Sequence, residues 1–230
     1  MNTSESPKTG PVIAGVDGSA NAAAAVLWAA AEAERRGQPL HIVHAAGTDN
    51  RAAYASVESI RLVLQHGREL LNATAARFAE RFPGLLVTTE LSHREPAETL
   101  HTVAGNHGTI VVGSRGLGGF GSLTHGSVGV GTAAGANGPV VVVRGVEDAD
   151  STGTVLVGVR DEEDLDVVRH AAQSAQLRKA SLRLLNIWNM FQHVGVVATM
   201  LDDVGEIAQE RKDKISAVAA GIRDNFPEPR

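Results

Sequence analysis

The chain has 230 residues, 43% of them hydrophobic and 20% charged, which is enough apolar material for a buried core and too much for a disordered polypeptide. Its net charge of -5, from 21 basic against 26 acidic residues, leaves no cation excess to neutralise a phosphate backbone, so nucleic-acid binding is not expected. The absence of cysteine removes disulfides, thiolate metal sites and thiol nucleophiles, and no apolar run reaches the roughly 18 residues of a membrane span, so a cytoplasmic protein is expected.

Val12-Ile13-Ala14-Gly15-Val16 is short, apolar and uninterrupted, which suits a strand buried on both faces of a parallel sheet. Asp17-Gly18-Ser19 breaks it, and Ala20 to Arg36 is Ala-rich, with cations at its end and Gly37 placed to close it in a left-handed turn, which predicts a helix. A strand follows at 40–45, a long helical region at 51–82 ending before Pro83-Gly84, and a third strand at 85–91. Pro96 opens a helix to about Asn106, and Thr109 to Val112 is a fourth strand. A glycine-rich segment, a short helix and a fifth strand at Pro139 to Val143 complete the unit. Alternating strands and helices predict an α/β fold, a doubly wound parallel five-stranded sheet for which the order 3-2-1-4-5 is expected.

Residues 146–153 are polar and glycine-bearing, which predicts a linker. The pattern then restarts. Thr154 to Val159 repeats the first strand, Asp164 to Leu177 the first helix, Leu182 to Ile187 the second strand and Met200 to Asn225 the second helix, while Phe226-Pro227 echoes Phe82-Pro83. The expected organisation is a complete domain at 10–145 followed by an incomplete copy at 154–230. Arg160 stands in the copy where Asp17 stands in the first unit, so nucleotide binding is expected in the first unit alone.

The stretch from Gly113 to Val128, with glycines at 113, 116, 118, 119, 121 and 126, follows a strand and leads into a helix. Glycines let backbone amides approach a ligand, and a helix N-terminus adds partial positive charge, so a phosphate is the natural guest; a flexible crossover loop has the same composition. A Walker-type loop is excluded, because no lysine lies between Lys8 and Lys179. The Gly116, Gly118, Gly121 spacing matches a dinucleotide fingerprint but follows the fourth strand, without an acidic residue about 20 positions on.

Gly113, Gly116, Gly126 and Ser127 satisfy a third spacing, Gly-x2-Gly-x9-Gly-Ser/Thr. With Gly15-Val16-Asp17-Gly18-Ser19 and the valine-rich last strand, this resembles the universal stress protein family and its ATP-binding branch, over residues 10–145 and, in half-length form, 154–227. The resemblance implies a stress-response regulatory protein with ATP as ligand, with or without Mg2+. Cyclic AMP binding, slow ATP hydrolysis or phosphotransfer, and a nucleotide-free dimerisation module are the alternatives. By the same resemblance Gly15 and Val16 line the base pocket, Asp17 contacts ribose or phosphate, and Ala45 presents backbone to the adenine. Val112 and Gly113 lie near the ribose, Gly116, Gly126, Ser127 and Val128 hold phosphates, and Arg115 is a further contact.

Gly129, Gly131 and Gly135 in the helix after Ser127 cost up to about 1 kcal/mol each relative to alanine, which predicts a looser hold on phosphate. The nine histidines form no metal spacing: His41 and His44 face opposite sides of a strand, and His101 and His107 do not share a helical face. His125 is a candidate phosphate contact through its place in the loop, and Trp28, Tyr54 and Trp188 are expected to pack. No nucleophile with an adjacent base can be read, so dedicated catalysis is not expected. Residues 139–144 should form the open edge of the sheet, which predicts a homodimer through an antiparallel contact of that segment.

Overall fold

A computed structural model describes residues 10–53, 55–117, 126–145, 153–187, 201–223 and 226. The chain divides into two compact units, at 1–149 and 150–230, so the predicted linker lies at the division, with 146–152 outside the described residues. The first unit runs β1 (Val12–Gly15), α1 (Ala20–Arg36), β2 (Leu40–Ala45), α2 (Val57–Arg81), β3 (Val87–Ser92), α3 (Pro96–Ala104), β4 (Thr109–Gly113), α4 (Ser127–Gly135) and β5 (Val140–Val143). All five strands are parallel, as the alternation predicts, and stand in the order β3-β2-β1-β4-β5 expected for the fold.

The alternation of side chains along the strands decides what each face holds. Val12, Ala14, Leu40, Ile42 and Val111 pack on one face against the alanines of α1 and against Leu71 and Phe78 of α2. Ile13, Val43, Ile110 and Val112 pack on the other with Leu100 and Ala104 of α3. Ser19 caps α1 by accepting from the Ala22 amide at 3.1 Å, and Gly37, at φ 61, ends it as expected. The helical region predicted from 51 is corrected: Asp49–Arg51 is one 3-10 turn, and α2 starts at Val57 because Ser56 supplies its cap.

One charged group in the core escapes a reading by pattern. Glu32 of α1 is fully buried; it pairs with Arg35 and Arg36 of its own helix, and Arg36 also donates to Thr109 Oγ1 at 3.1 Å. The network ties the end of α1 to the start of β4.

The second unit runs β6 (Thr154–Gly158), α5 (Leu165–Arg178), β7 (Ser181–Leu185) and α6 (Leu201–Arg223), with β6 and β7 parallel. Val157, Val159, Val168, Ala171, Ala172, Val218 and Ile222 form its core. The repeat extends to single hydrogen bonds. His44 Nδ1 donates to the Val16 carbonyl at 2.8 Å, and Asn186 Nδ2, at the matching register, donates to the Val159 carbonyl at 2.6 Å. Likewise the Phe82 and Phe226 amides each donate four residues back, to Phe78 and Ile222.

Candidate functional site

β1 is the central strand, and the chain leaves it towards β2 on one side and β4 on the other. Helices diverge at such a reversal and leave a crevice beyond the carboxyl ends of the strands. A cavity of about 630 Å3 lies there, within the size range of small-molecule sites. Gly15, Val16, Asp17, Ala45, Val112, Gly113, Arg115, Gly116, Gly126, Ser127 and Val128 all line it, so residues spread over more than a hundred positions meet in one place. Ala22, Val43, Arg51, Pro96, Leu100, Leu117 and Gly129 complete the lining.

Asp17 is engaged on both oxygens: Oδ1 accepts from the Ser19 amide at 2.9 Å and Oδ2 from the Leu117 amide at 2.9 Å. It joins the β1–α1 turn to the glycine-rich segment, and Ser19, not Asp17, caps the helix. The Ser114 carbonyl accepts from the Gly126 amide at 2.9 Å, closing the segment at its base. His125 and residues 118–124 lie outside the described residues.

α4 begins at the cavity wall. Its N-cap is Gly126, with no side-chain hydrogen bond to the first turn, whereas Ser19 and Ser56 cap α1 and α2. The first amides of a helix have no intrahelical acceptor, and among the described residues no side chain supplies one; Ser127, Val128 and Gly129 of that turn line the cavity. This donor set, at the positive end of a helix dipole, suits an anionic oxygen. Two glycines, one expected near the ligand and one expected to weaken α4, have packing roles. A Cβ on Gly113 would lie 2.6 Å from the backbone carbon of Asn21, and one on Gly135 would lie 2.7 Å from His101 Cε1. The glycines of α4 thus include one that lets α3 approach, where His101 Nε2 donates to the Thr132 carbonyl at 2.7 Å. Gly113→Ala is expected to cost about 1–3 kcal/mol through overpacking against α1, visible as a lowered Tm; an unchanged melt would contradict that contact.

The wall beside β2 is held by cross-links to the β3–α3 loop. Ala46, Gly47 and Asp49 amides donate to the carbonyls of Ser92, Arg94 and His93 at 2.8, 3.2 and 3.1 Å. Thr48 Oγ1 and His93 Nδ1 are 3.0 Å apart, and Asn50 Nδ2 donates to Glu95 Oε1 at 2.9 Å. Arg51, on this wall, is the charged one among the lining residues that sequence reasoning misses, since only tertiary pairing brings it to the cavity. His41 lies between Thr88 and Glu90 on the sheet surface. Among the described residues no group of three His, Asp or Glu side chains could hold a metal ion, and no helix is long and apolar enough to cross a membrane.

In the second unit the matching turn is closed differently. Arg160 donates from its backbone amide and guanidinium to Asp164, at 2.8 and 3.0 Å, and this pairing holds the Asp164 carboxyl below the usual aspartate range.

Residues 9–144 match the model of the universal stress protein family. A universal stress protein of Mycolicibacterium smegmatis is 32% identical over 187 residues, covering 77% of this chain and 63% of the relative. The chain spans about half to two thirds of the length of the curated relatives it matches. A solved universal stress protein of Lactobacillus plantarum, 21% identical, covers 59% of this chain and 97% of that one with a TM-score of 0.50, and so shares the fold. A universal stress protein of Archaeoglobus fulgidus, solved in complex with dAMP, is 26% identical over 59% of this chain and 98% of that one, with a TM-score of 0.45.

Proposed function

The chain belongs to the universal stress protein family, and on that premise we propose that residues 10–145 form an adenine-nucleotide-binding regulatory domain whose ligand is ATP, with or without Mg2+. The observation that carries this reading is the uncapped N-terminus of α4 opening on a cavity that also holds Arg115 and the glycine-rich backbone. Val16, Val43, Leu100 and Val112 give the cavity an apolar floor, which suits a base and ribose beside an anionic end. Gly126, Ser127 and Val128 are assigned to the phosphates, and Ala45 to the base.

Binding is favoured over turnover because Asp17, the one carboxylate lining the cavity among the described residues, already accepts two backbone amides. Those two bonds tie the carboxylate into the β1–α1 turn and the glycine-rich segment, and no second carboxylate or histidine lines the cavity among the described residues to act as a general base. Occupancy would then act by favouring one conformation of the protein. Incubation of pure protein with labelled ATP and Mg2+ tests this: retained nucleotide with phosphate release no faster than in the protein-free control supports a binding protein. Release well above that control makes it an ATPase.

A homodimer through β5 belongs to the same proposal, and the register says how to test it. Ile110 and Ser114 amides donate to the carbonyls of Pro139 and Val143, so residues 139, 141 and 143 turn their backbone groups towards β4. In a parallel ladder the alternate residues, Val140 and Val142, turn theirs outwards. Val142→Pro therefore removes an outward donor and leaves the internal ladder whole. The parent should scatter light as a dimer of the 24.0 kDa chain and the variant as a monomer; a monomeric parent would end the dimer reading.

A further inference from the structure

The geometry points to Arg51 as the residue that covers the nucleobase, its guanidinium stacking on the base face that the apolar floor leaves open; this rests on the nucleotide reading above. Arg51 lies on the wall beyond β2, whereas the uncapped helix end lies beyond β4. The two are separated by the width of β1, so about 10 Å divides their strands at about 4.8 Å per strand spacing. A ligand with its anionic end at α4 and its body across Val16 and Val43 brings its other end under Arg51.

Three features fit the role. No Phe, Tyr or Trp lines the cavity, so an aromatic platform, the usual partner of a base, is missing from the described lining. A guanidinium is planar and weakly hydrated and stacks on π-faces. Arg51 is also exposed, with no side-chain hydrogen bond or ion pair among the described residues, while Glu95, the carboxylate on the facing loop, is taken by Asn50. Finally, the Arg51 backbone is held in place. Its amide donates to the Thr48 carbonyl at 3.1 Å, its carbonyl accepts from Ala55 at 2.9 Å, and the Thr48 turn is cross-linked to His93. With the backbone fixed, only the rotamers of the side chain remain to be ordered on binding.

The test uses the full chain and three probes, ATP, adenosine and inorganic tripolyphosphate, titrated against the parent, Arg51→Ala and Arg51→Lys. Stacking predicts that Arg51→Ala weakens ATP and adenosine by about five- to tenfold and leaves tripolyphosphate within about twofold. Arg51→Lys, which keeps the charge and loses the plane, should resemble Arg51→Ala. Unchanged ATP affinity in both variants, or an equal loss for ATP and tripolyphosphate, overturns the stacking role. A parent that binds no ATP overturns the nucleotide reading itself, which is a separate result from a parent that binds and variants that match it.

Discussion

Gly126→Val is expected to abolish ATP binding while melting within a few degrees of the parent. Gly126 has φ -72 and ψ 148, a conformation open to any L-residue. A Cβ there would sit 3.4 Å from the Ser114 carbonyl oxygen and 3.5 Å from Arg115 Cα, which is ordinary contact, so the fold can accept it. The branched methyls reach further, from a residue that lines the cavity. They enter the cavity where the first-turn amides of α4 must meet an anion, and they hold it away from the donors. The expected loss is about a hundredfold or more, equivalent to about 2.8 kcal/mol, measured by calorimetry with a thermal melt as the control. Parent-like affinity in this variant would remove the phosphate end from α4. Gly113→Ala makes the contrast, since its cost falls on packing between β4 and α1.

Glu32→Ala is expected to be strongly destabilising to the first unit. Glu32 is fully buried and the side chain of Arg36 is only 8% exposed; removing the carboxylate leaves a buried guanidinium without its counter-charge. Breaking such a pair from one side costs about 3–5 kcal/mol, a large share of the stability of a domain this size. Urea unfolding at neutral pH reads the loss directly, and a change below about 1 kcal/mol would mean that Arg36 swings to solvent at little cost.

What could be read in advance followed local physics. α1 is bounded by a serine cap and a left-handed glycine, so both ends were legible. The parallel sheet followed from alternation, while the strand order and the meeting of Asp17 with the Gly113–Ser127 spacing were what the family resemblance implied, in keeping with where parallel sheets place their crevices. Other features depend on tertiary contacts that no local pattern carries. Glu32 and Arg36 look like a solvated i,i+4 pair until α1 lies on β4. Gly135 looks like a weakness in α4 until His101 is placed beside it. Arg51 looks like the start of a helix until the loop at 46–50 is pinned to 92–95. The valines of β5 announce an edge, but which of them face outwards follows only from the register with β4.

The proposed adenine nucleotide sits, one per chain, across the carboxyl ends of β1, β2 and β4. Hydrogen exchange with and without saturating ATP tests it most directly, because the donors assigned to the ligand are backbone amides. Slowed exchange is expected at 113–117 and 126–129 and at 45–51, with no change at 154–187, and one ATP bound per chain. Protection confined to the second unit, or none at the start of α4 while ATP is bound, would contradict it.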